Sequence, residues 1–231
     1  MPFHVCGGAG EVGILRLRIC LRFASANAPL RMTTFGRRDM KLRKHATEGP
    51  SSQQELATVL VETYSVNDLM NQILLKHLDP RAWRAQPPGK KGSGRPIAAI
   101  FAHLHNSRLV WIRNSAPHLR CPKPLDPAKC TMKQASAAHA ESAEQCLRML
   151  EDALTGGEKR RVTKFSRGSW APVWPAGGSM FAYIFSHEAH HRAQILMLAK
   201  QLGYQIPPNV WGRTWQWNWL WKQVGLETRP R

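Results

Sequence analysis

The chain has 231 residues, of which 43% are hydrophobic, and this length and composition are typical of one globular domain with its own core. Lysine and arginine number 33 against 15 aspartates and glutamates, a formal net charge of +18 at pH 7. No run of 18 apolar residues occurs, and no nucleic-acid-binding motif accompanies the charge. We therefore interpret the basic excess as a solvated surface and expect neither a membrane nor nucleic acid as a partner.

Residues 1–50 show no sustained hydrophobic period and are rich in arginine and glycine. A segment of this kind has little apolar surface to bury, so we predict a disordered basic extension followed by a folded domain over 51–231. The cysteines are odd in number, and no Cys-x-x-Cys occurs, which argues against a disulfide framework and favours a cytoplasmic location. A pairing of Cys121 with Cys130, which share one loop, stays open.

The first predicted helix covers 52–78. It begins after Ser51 or Ser52, in capping-box spacing with Glu55, and it ends at Asp79-Pro80 because proline disfavours helix in the residue before it. The residues of its apolar stripe are Leu56, Leu60, Tyr64, Met70, Ile73 and Leu74.

Three more helices follow in the sequence, over 96–115, 131–155 and 179–202. Pro96 suits a first helical position, Thr131 an N-cap, and Gly156 and Gly203 suit helix ends. Prolines mark 116–130 as a loop, and the tail with its five tryptophans is assigned one short helix. No strand is predicted, so the fold class is an all-α four-helix bundle with an N-terminal extension.

The fourth helix carries histidines on its apolar stripe, which is formed by Met180, Ile184, Ile195 and Leu198. His187 and His191 occupy the positions between these residues, one turn apart on one face. Two imidazoles in this spacing can bind one metal ion, whereas two buried histidines without partners are unfavourable. His190 lies about 100° around the helix, so we expect it at the surface or behind a ligand.

A third ligand has to come from another helix, and periodicity alone does not select it. The candidates are His77, His103, His105 and His139. His103 and His105 point to opposite sides of the second helix, so only one of them can face the fourth. Each lone histidine has the alternative of a solvated side chain.

Two segments carry a resemblance to a known family. HEAHHRAQILMLAKQLGYQIP is similar to the fourth-helix signature of the DinB (YfiT-like) superfamily, H-x-x-H-H-R-G-Q followed by an apolar run and L-G, with Ala193 in place of the glycine. IFAHLHNSRLVWI resembles the second-helix motif, in which a histidine precedes a tryptophan by about eight residues. This register matches His103 with Trp111 and disfavours His105. The resemblance extends over about 55–225.

The resemblance implies a DinB-like four-helix bundle in which His103, His187 and His191 bind one divalent metal ion, such as Zn, Ni or Fe. Three histidines leave an open coordination position, as in a catalytic site. The family includes metal-dependent thiol S-transferases, so we expect a small-molecule substrate, a low-molecular-weight thiol among the candidates. A non-catalytic metal-binding stress-response protein and, on charge alone, a nucleic-acid binder are the alternatives, and a homodimer stays open.

Glu188 and Arg192 lie one turn apart beside the predicted ligands. We interpret them as an i, i+4 salt bridge on the helix surface. In the alternative, Arg192 pairs with a substrate carboxylate at the pocket edge. Gln194 is expected to donate a hydrogen bond to a neighbouring loop. The tail tryptophans are expected to cover an end of the bundle, with a roof over the pocket as the alternative.

Overall fold

The computed structural model describes residues 51–86, 94–156 and 161–226, and the predicted N-terminal extension lies outside these ranges. Its four long helices confirm the all-α prediction, and each helix end falls within one residue of the predicted bound. They are α1 (Ser52–His77), α2 (Ile97–Ser115), α3 (Met132–Thr155) and α4 (Gly178–Gln201). None of the helices in these ranges has both the length and the hydrophobicity that a membrane-spanning segment needs.

Local chemistry explains where the helices begin and end. The Ser51 hydroxyl accepts a hydrogen bond from the backbone N–H of Gln54 and caps α1. At the start of α3, Thr131 and Gln134 form a reciprocal capping box. Gly156 follows α3 with φ of 65°, a left-handed conformation that glycine adopts at little steric cost.

The bundle is arranged so that α1 and α2 each pack against both α3 and α4. α1 and α2 therefore lie diagonally opposite each other in the bundle, and so do α3 and α4. Each helix contributes fully buried apolar side chains to the core, among them Leu74, Phe101, Leu150 and Ile184. This arrangement places α2 beside α4, so residues of these two helices can meet.

The apolar stripe of α1 was predicted one turn too long. Tyr64, Met70, Ile73 and Leu74 are buried, but Leu56 is 59% exposed. Burial on this helix begins at Ala57. The period alone shows which face of a helix is apolar, not how far a neighbouring helix covers it.

The expectation of no strands was wrong for one small element. β1 (Lys164–Phe165) and β2 (Trp174–Pro175) pair antiparallel between α3 and α4. Two residues are too few to produce a detectable alternation of polar and apolar side chains. A short 3-10 helix over Pro80–Ala82 also replaces part of the predicted loop after α1. Cys121 and Cys130 are both free thiols.

The tail contains more structure than the single short helix that was predicted. It forms α5 (Pro208–Trp211), a 3-10 turn (Gly212–Trp215) and α6 (Trp217–Gln223). Leu220 is fully buried and anchors this segment on the bundle. Its buried neighbours on α1 are Val66, Met70 and Ile73. The tail thus packs against α1 of the bundle.

His105 and His139, candidate ligands for which the alternative was a solvated side chain, are fully buried between α2 and α3. The His139 Nε2–H donates to the carbonyl of Phe101 at 2.8 Å, and the His105 Nε2–H donates to the carbonyl of Lys123 at 2.9 Å. Burial lowers the pKa of both, and the pKa of His139 falls to about 3, to which the charge of Arg108 contributes. Helical periodicity could not reveal that the α2–α3 interface would cover both rings.

The buried neutral His139 predicts a pH-dependent stability. Between its ordinary pKa near 6.5 and about 3, the unfolded chain binds a proton that the folded chain does not. Stability should therefore fall as the pH falls below about 6.5, by up to ~1.4 kcal/mol per pH unit from this group. In His139→Gln the amide can still donate to Phe101 but cannot titrate, so urea unfolding from pH 7.5 to 5 should show a shallower slope.

The exposed His77 provides the control for this measurement. His77→Gln makes the same substitution at an exposed position, and its slope is the reference with which that of His139→Gln is compared. Equal slopes for His77→Gln and His139→Gln would show that the proton on His139 does not contribute to the pH dependence.

Candidate metal site

Three histidines from two neighbouring helices converge at one point. The ring of His103 on α2 lies 5.3 Å from that of His187 and 4.7 Å from that of His191, and the two rings of α4 are 4.6 Å apart, all between centroids. One nitrogen of each ring lies within 4.8 Å of the others. These are the residues singled out in the sequence, and no further His, Cys, Asp or Glu of the described chain joins the group.

The hydrogen bonds around the rings suit metal binding. His191 donates from Nδ1–H to Gln194 Oε1 at 2.7 Å, which fixes the tautomer and leaves the Nε2 lone pair free. The Nδ1 atom of His187 is buried and has no hydrogen-bond partner among the described residues. A buried ring nitrogen without a partner is unfavourable, and a bound ion is one way to satisfy it.

The spacing of the nitrogens is also compatible with an ion. In a tetrahedral zinc site with Zn–N bonds of about 2.0–2.1 Å, two nitrogen ligands lie roughly 3.3 Å apart. The three nitrogens lie within 4.8 Å of one another, so on binding an ion they would have to approach by at most about 1.5 Å. The residues present therefore fit a divalent metal ion.

The electrostatics keep the three imidazoles neutral. Burial lowers the pKa of His103, and the neighbouring His191 and Arg95 lower it further. Burial and the adjacent histidines lower the pKa of His187 to about 4, and burial lowers that of His191 as well. Since a histidine must be neutral to bind a metal ion, the rings are ready to act as ligands at neutral pH.

His190 takes the supporting position expected from its angle around α4. Its ring is exposed, and its Nε2 accepts a hydrogen bond from Gln194 Nε2 at 2.9 Å. Gln194 therefore connects His190 to His191 and does not reach a neighbouring loop, contrary to the prediction for this residue.

A cavity of about 330 Å³ opens beside the histidines. Its lining residues are His103, Asn106, Ser107, Val110, Trp111, Arg167, Trp170, Tyr183 and His187. Trp111 meets the His187 ring edge to face at 5.2 Å between centroids, and Tyr183 stacks on it at 6.0 Å. His191 borders a second, smaller cavity together with Arg95. Among the described residues, no tail tryptophan lines the first cavity, whereas the exposed Trp170 does.

The prediction of a surface salt bridge between Glu188 and Arg192 was wrong. Glu188 is fully buried, and its carboxylate accepts hydrogen bonds from Arg108 Nε at 2.8 Å and Nη2 at 2.8 Å. The other donors to this carboxylate are Tyr64, Asn67 and Asn71, all on α1. Arg192 is buried as well and donates to Asn71 Oδ1 at 3.1 Å. Arg192 is therefore not available to a substrate carboxylate.

This polar network connects α4, the helix that carries His187 and His191, to α1 and α2. Burial by itself would raise the pKa of Glu188, but the charge and hydrogen bonds of Arg108 outweigh it and lower the pKa to about 2. Arg108 also pairs with Asp68 at 2.9 Å, so α1, α2 and α4 are joined through one ionised cluster. Glu188 follows His187, and Arg192 follows His191; one face of α4 is thus bound to α1 while the adjacent face carries His187 and His191.

Arg167 and Trp170 belong to the cavity but were not identified from the sequence. Both lie in the connection between α3 and α4, where no hydrophobic period exists to orient side chains. In the sequence, this segment is distinguished only by two tryptophans, Trp170 and Trp174, that closely follow Arg167.

Comparison with known proteins gives one match. The sequence model of the DinB family matches residues 53–222, which include α1 to α4 and all three histidines. No curated protein and no solved structure matches the chain.

Proposed function

Since this chain belongs to the DinB family, we propose that it is a metal-dependent enzyme that transfers a low-molecular-weight thiol to an electrophilic small molecule. His103, His187 and His191 would hold one divalent ion, with Zn, Ni and Fe all compatible with imidazole ligands. The other ligand position would receive the thiol from the cavity.

The observation that carries this proposal is the convergence of three neutral imidazoles beside an open cavity. A structural zinc site is closed by four protein ligands, whereas a catalytic one retains a position for water or substrate. The group contains three candidate ligands within the described ranges, and two of them, His103 and His187, line the cavity. A purely storage or structural role gives no reason for this combination.

The side chains around the histidines have separate tasks in this proposal. Trp111 and Tyr183 fix the plane of the His187 ring, and Gln194 fixes the tautomer of His191. Val110 and Trp111 supply apolar walls that limit the access of water to the cavity. A divalent ion, when bound, supplies Lewis acidity that lowers the pKa of a thiol in its open position.

A conjugation assay tests the proposal. The protein is loaded with Zn, Ni or Fe(II) in turn and incubated with 1-chloro-2,4-dinitrobenzene and one of several thiols, including cysteine and glutathione. The thiol sulfur forms a bond to the ring carbon, chloride leaves with the electron pair, and the thiol proton goes to the solvent. With at least one combination of metal and thiol, we expect the protein to raise the conjugation rate above that of the thiol and the reagent alone. After chelation of the metal, this increase should disappear.

His103→Ala and His190→Ala make a matched pair for this assay. The first removes a proposed ligand and should abolish the metal-dependent rate, while the second removes an exposed ring and should retain most of it. One tightly bound ion without turnover for any thiol would favour the non-catalytic metal-binding alternative. Turnover that survives His103→Ala would show that the reaction takes place elsewhere.

A further inference from the structure

Among the described residues, Arg167 is the one lysine or arginine that lines the cavity beside the histidines. Its guanidinium carbon lies 4.2 Å from the ring centroid of Trp174, 4.8 Å from that of Trp170 and 4.9 Å from that of Tyr183. Aromatic faces stabilise the charge of a guanidinium, but they leave its in-plane N–H groups without acceptors. The three rings therefore orient Arg167 without occupying its donors.

The donors of Arg167 have no hydrogen-bond partner among the residues that the structure describes. Its Nε atom is buried without a hydrogen bond, and no acceptor from residues 51–86, 94–156 or 161–226 pairs with the guanidinium. Two buried arginines near the site are used differently, because Arg108 binds Glu188 and Arg192 binds Asn71. A buried donor without an acceptor is unfavourable and points to a ligand that supplies the acceptor.

The backbone around Arg167 is anchored to α2. The N–H of Ser166 donates to Ser115 Oγ at 2.9 Å, and Gly168 adopts φ of 97°, where other residues are strained. A Cβ atom at Gly168 would lie 3.5 Å from Val110 Cγ1, so the segment runs close against the helix that carries His103. Arg167 is thus held at a fixed place relative to the metal-binding histidines.

We propose that the cavity recognises a carboxylate and that Arg167 is the residue that binds it. A guanidinium presents parallel N–H donors that match the two oxygens of a carboxylate. The substrate would be a small molecule with its carboxylate at Arg167 and its metal-binding group at the histidines. The identity of that metal-binding group as a thiol rests on the proposed function. The carboxylate site at Arg167 and the thiol-transferase function are separate claims, and either can fail without the other.

Calorimetric titration of the Zn-loaded protein with two matched thiols tests the assignment. 3-Mercaptopropionate carries a carboxylate, and 3-mercapto-1-propanol is neutral and of similar length. Hydrogen bonds to charged groups are strong enough that the wild-type chain should bind the carboxylate thiol about tenfold more tightly or better. In Arg167→Gln this preference should disappear while the affinity for the neutral thiol is retained, and Arg167→Lys should keep part of it.

Arg95 provides a control for the general effect of charge. It is exposed, it lowers the pKa of both His103 and His191, and it lines the second cavity together with His191 rather than the cavity of Arg167. Arg95→Gln removes the same unit of charge from the neighbourhood and should leave the preference for the carboxylate thiol intact. Where the thiols bind, equal affinities of the wild type for the two thiols, or a preference that survives in Arg167→Gln, overturn the assignment.

A metal-free measurement separates this proposal from the proposed function. The ¹H–¹⁵N resonance of the Arg167 Nε–H group, identified by its loss in Arg167→Gln, is followed in chelator-treated protein during titration with propionate. A saturable shift is expected, and its absence overturns the assignment. A larger shift with inorganic phosphate than with propionate at equal concentration would assign the site to a phosphate instead. If neither thiol binds the Zn-loaded protein but propionate shifts this resonance, the thiol-transferase function fails and the Arg167 site stands.

Discussion

Glu188→Ala is expected to destabilise the bundle by about 3–5 kcal/mol, which is the usual effect of removing one partner from a buried ion pair. The substitution leaves Arg108 fully buried with only Asp68 as a charged partner, and it leaves the side-chain amides of Asn67 and Asn71 without their acceptor. Because a folded domain is stable by only about 5–15 kcal/mol, this is a large part of the total.

Thermal unfolding of chelator-treated protein measures this effect without any contribution from bound metal. For a domain of this size, 1 kcal/mol corresponds to about 2–4 °C, so a loss of about 3–5 kcal/mol should lower the Tm by roughly 6–20 °C. Glu144→Ala is the matched control, because Glu144 forms an exposed i, i+4 pair with Arg148 in α3. Exposed pairs of this kind contribute little, and its Tm should stay within about 2 °C of the wild-type value.

Glu188→Gln distinguishes the charge from the hydrogen bonds. The amide oxygen can still accept from Asn67 or Asn71, but the negative charge that balances Arg108 is lost. Its Tm should fall between those of the wild type and Glu188→Ala. A Tm for Glu188→Ala equal to that of Glu144→Ala would mean that the network does not stabilise the fold.

The contrast between Glu188 and Glu144 shows that the sequence did not reveal which of two similarly spaced glutamates is buried. Glu188 with Arg192 and Glu144 with Arg148 have the same i, i+4 spacing, and both predict a surface pair. Only the packing of α1 against α4 makes the first pair buried, and spacing within one helix contains no information about the neighbouring helix. The donors that stabilise Glu188 lie more than 75 residues away in the sequence.

The helices themselves were predictable because their ends are determined by adjacent residues. The capping box of Thr131 with Gln134 and the left-handed Gly156 act over a few residues, so the sequence shows them directly. The face occupied by His187 and His191 followed from the period of α4 in the same way. The choice of His103 over His105 did not follow from the period, since both histidines turn towards a neighbouring helix. It came from the family resemblance, and the structure places His103 beside α4 and His105 beside α3.

Arg167 was beyond prediction for another reason. Its position depends on the left-handed Gly168, the bond from Ser166 to Ser115 and the short pairing of β1 with β2. Each of these is a contact between an irregular segment and a helix, and none has a periodic signal. The site therefore combines histidines that a helical pattern can reveal with an arginine that only tertiary structure can place.

His103→Ala, His187→Ala and His191→Ala are each expected to abolish the binding of about one divalent ion per chain. Each substitution leaves two neutral imidazoles, and no other His, Cys, Asp or Glu in the described ranges is close enough to replace the lost nitrogen. Zn, Ni or Fe content, measured by elemental analysis after dialysis against the metal, should fall at least tenfold relative to the wild type, while circular dichroism at neutral pH should still show a helical chain.

His190→Ala is the control that separates a specific site from a generally histidine-rich surface. Its ring is 5.1 Å from that of His191 between centroids, yet it is exposed and lies outside the group of three. Loss of its bond to Gln194 should leave the stoichiometry at about one ion and weaken affinity by at most the ~10–100-fold that loss of a supporting hydrogen bond can cause. If His190→Ala lost the ion as completely as the other three variants, His190 would be a ligand. If His103→Ala retained it, the ion would be held by α4 alone, and the cavity between α2 and α4 would not be the place where it acts.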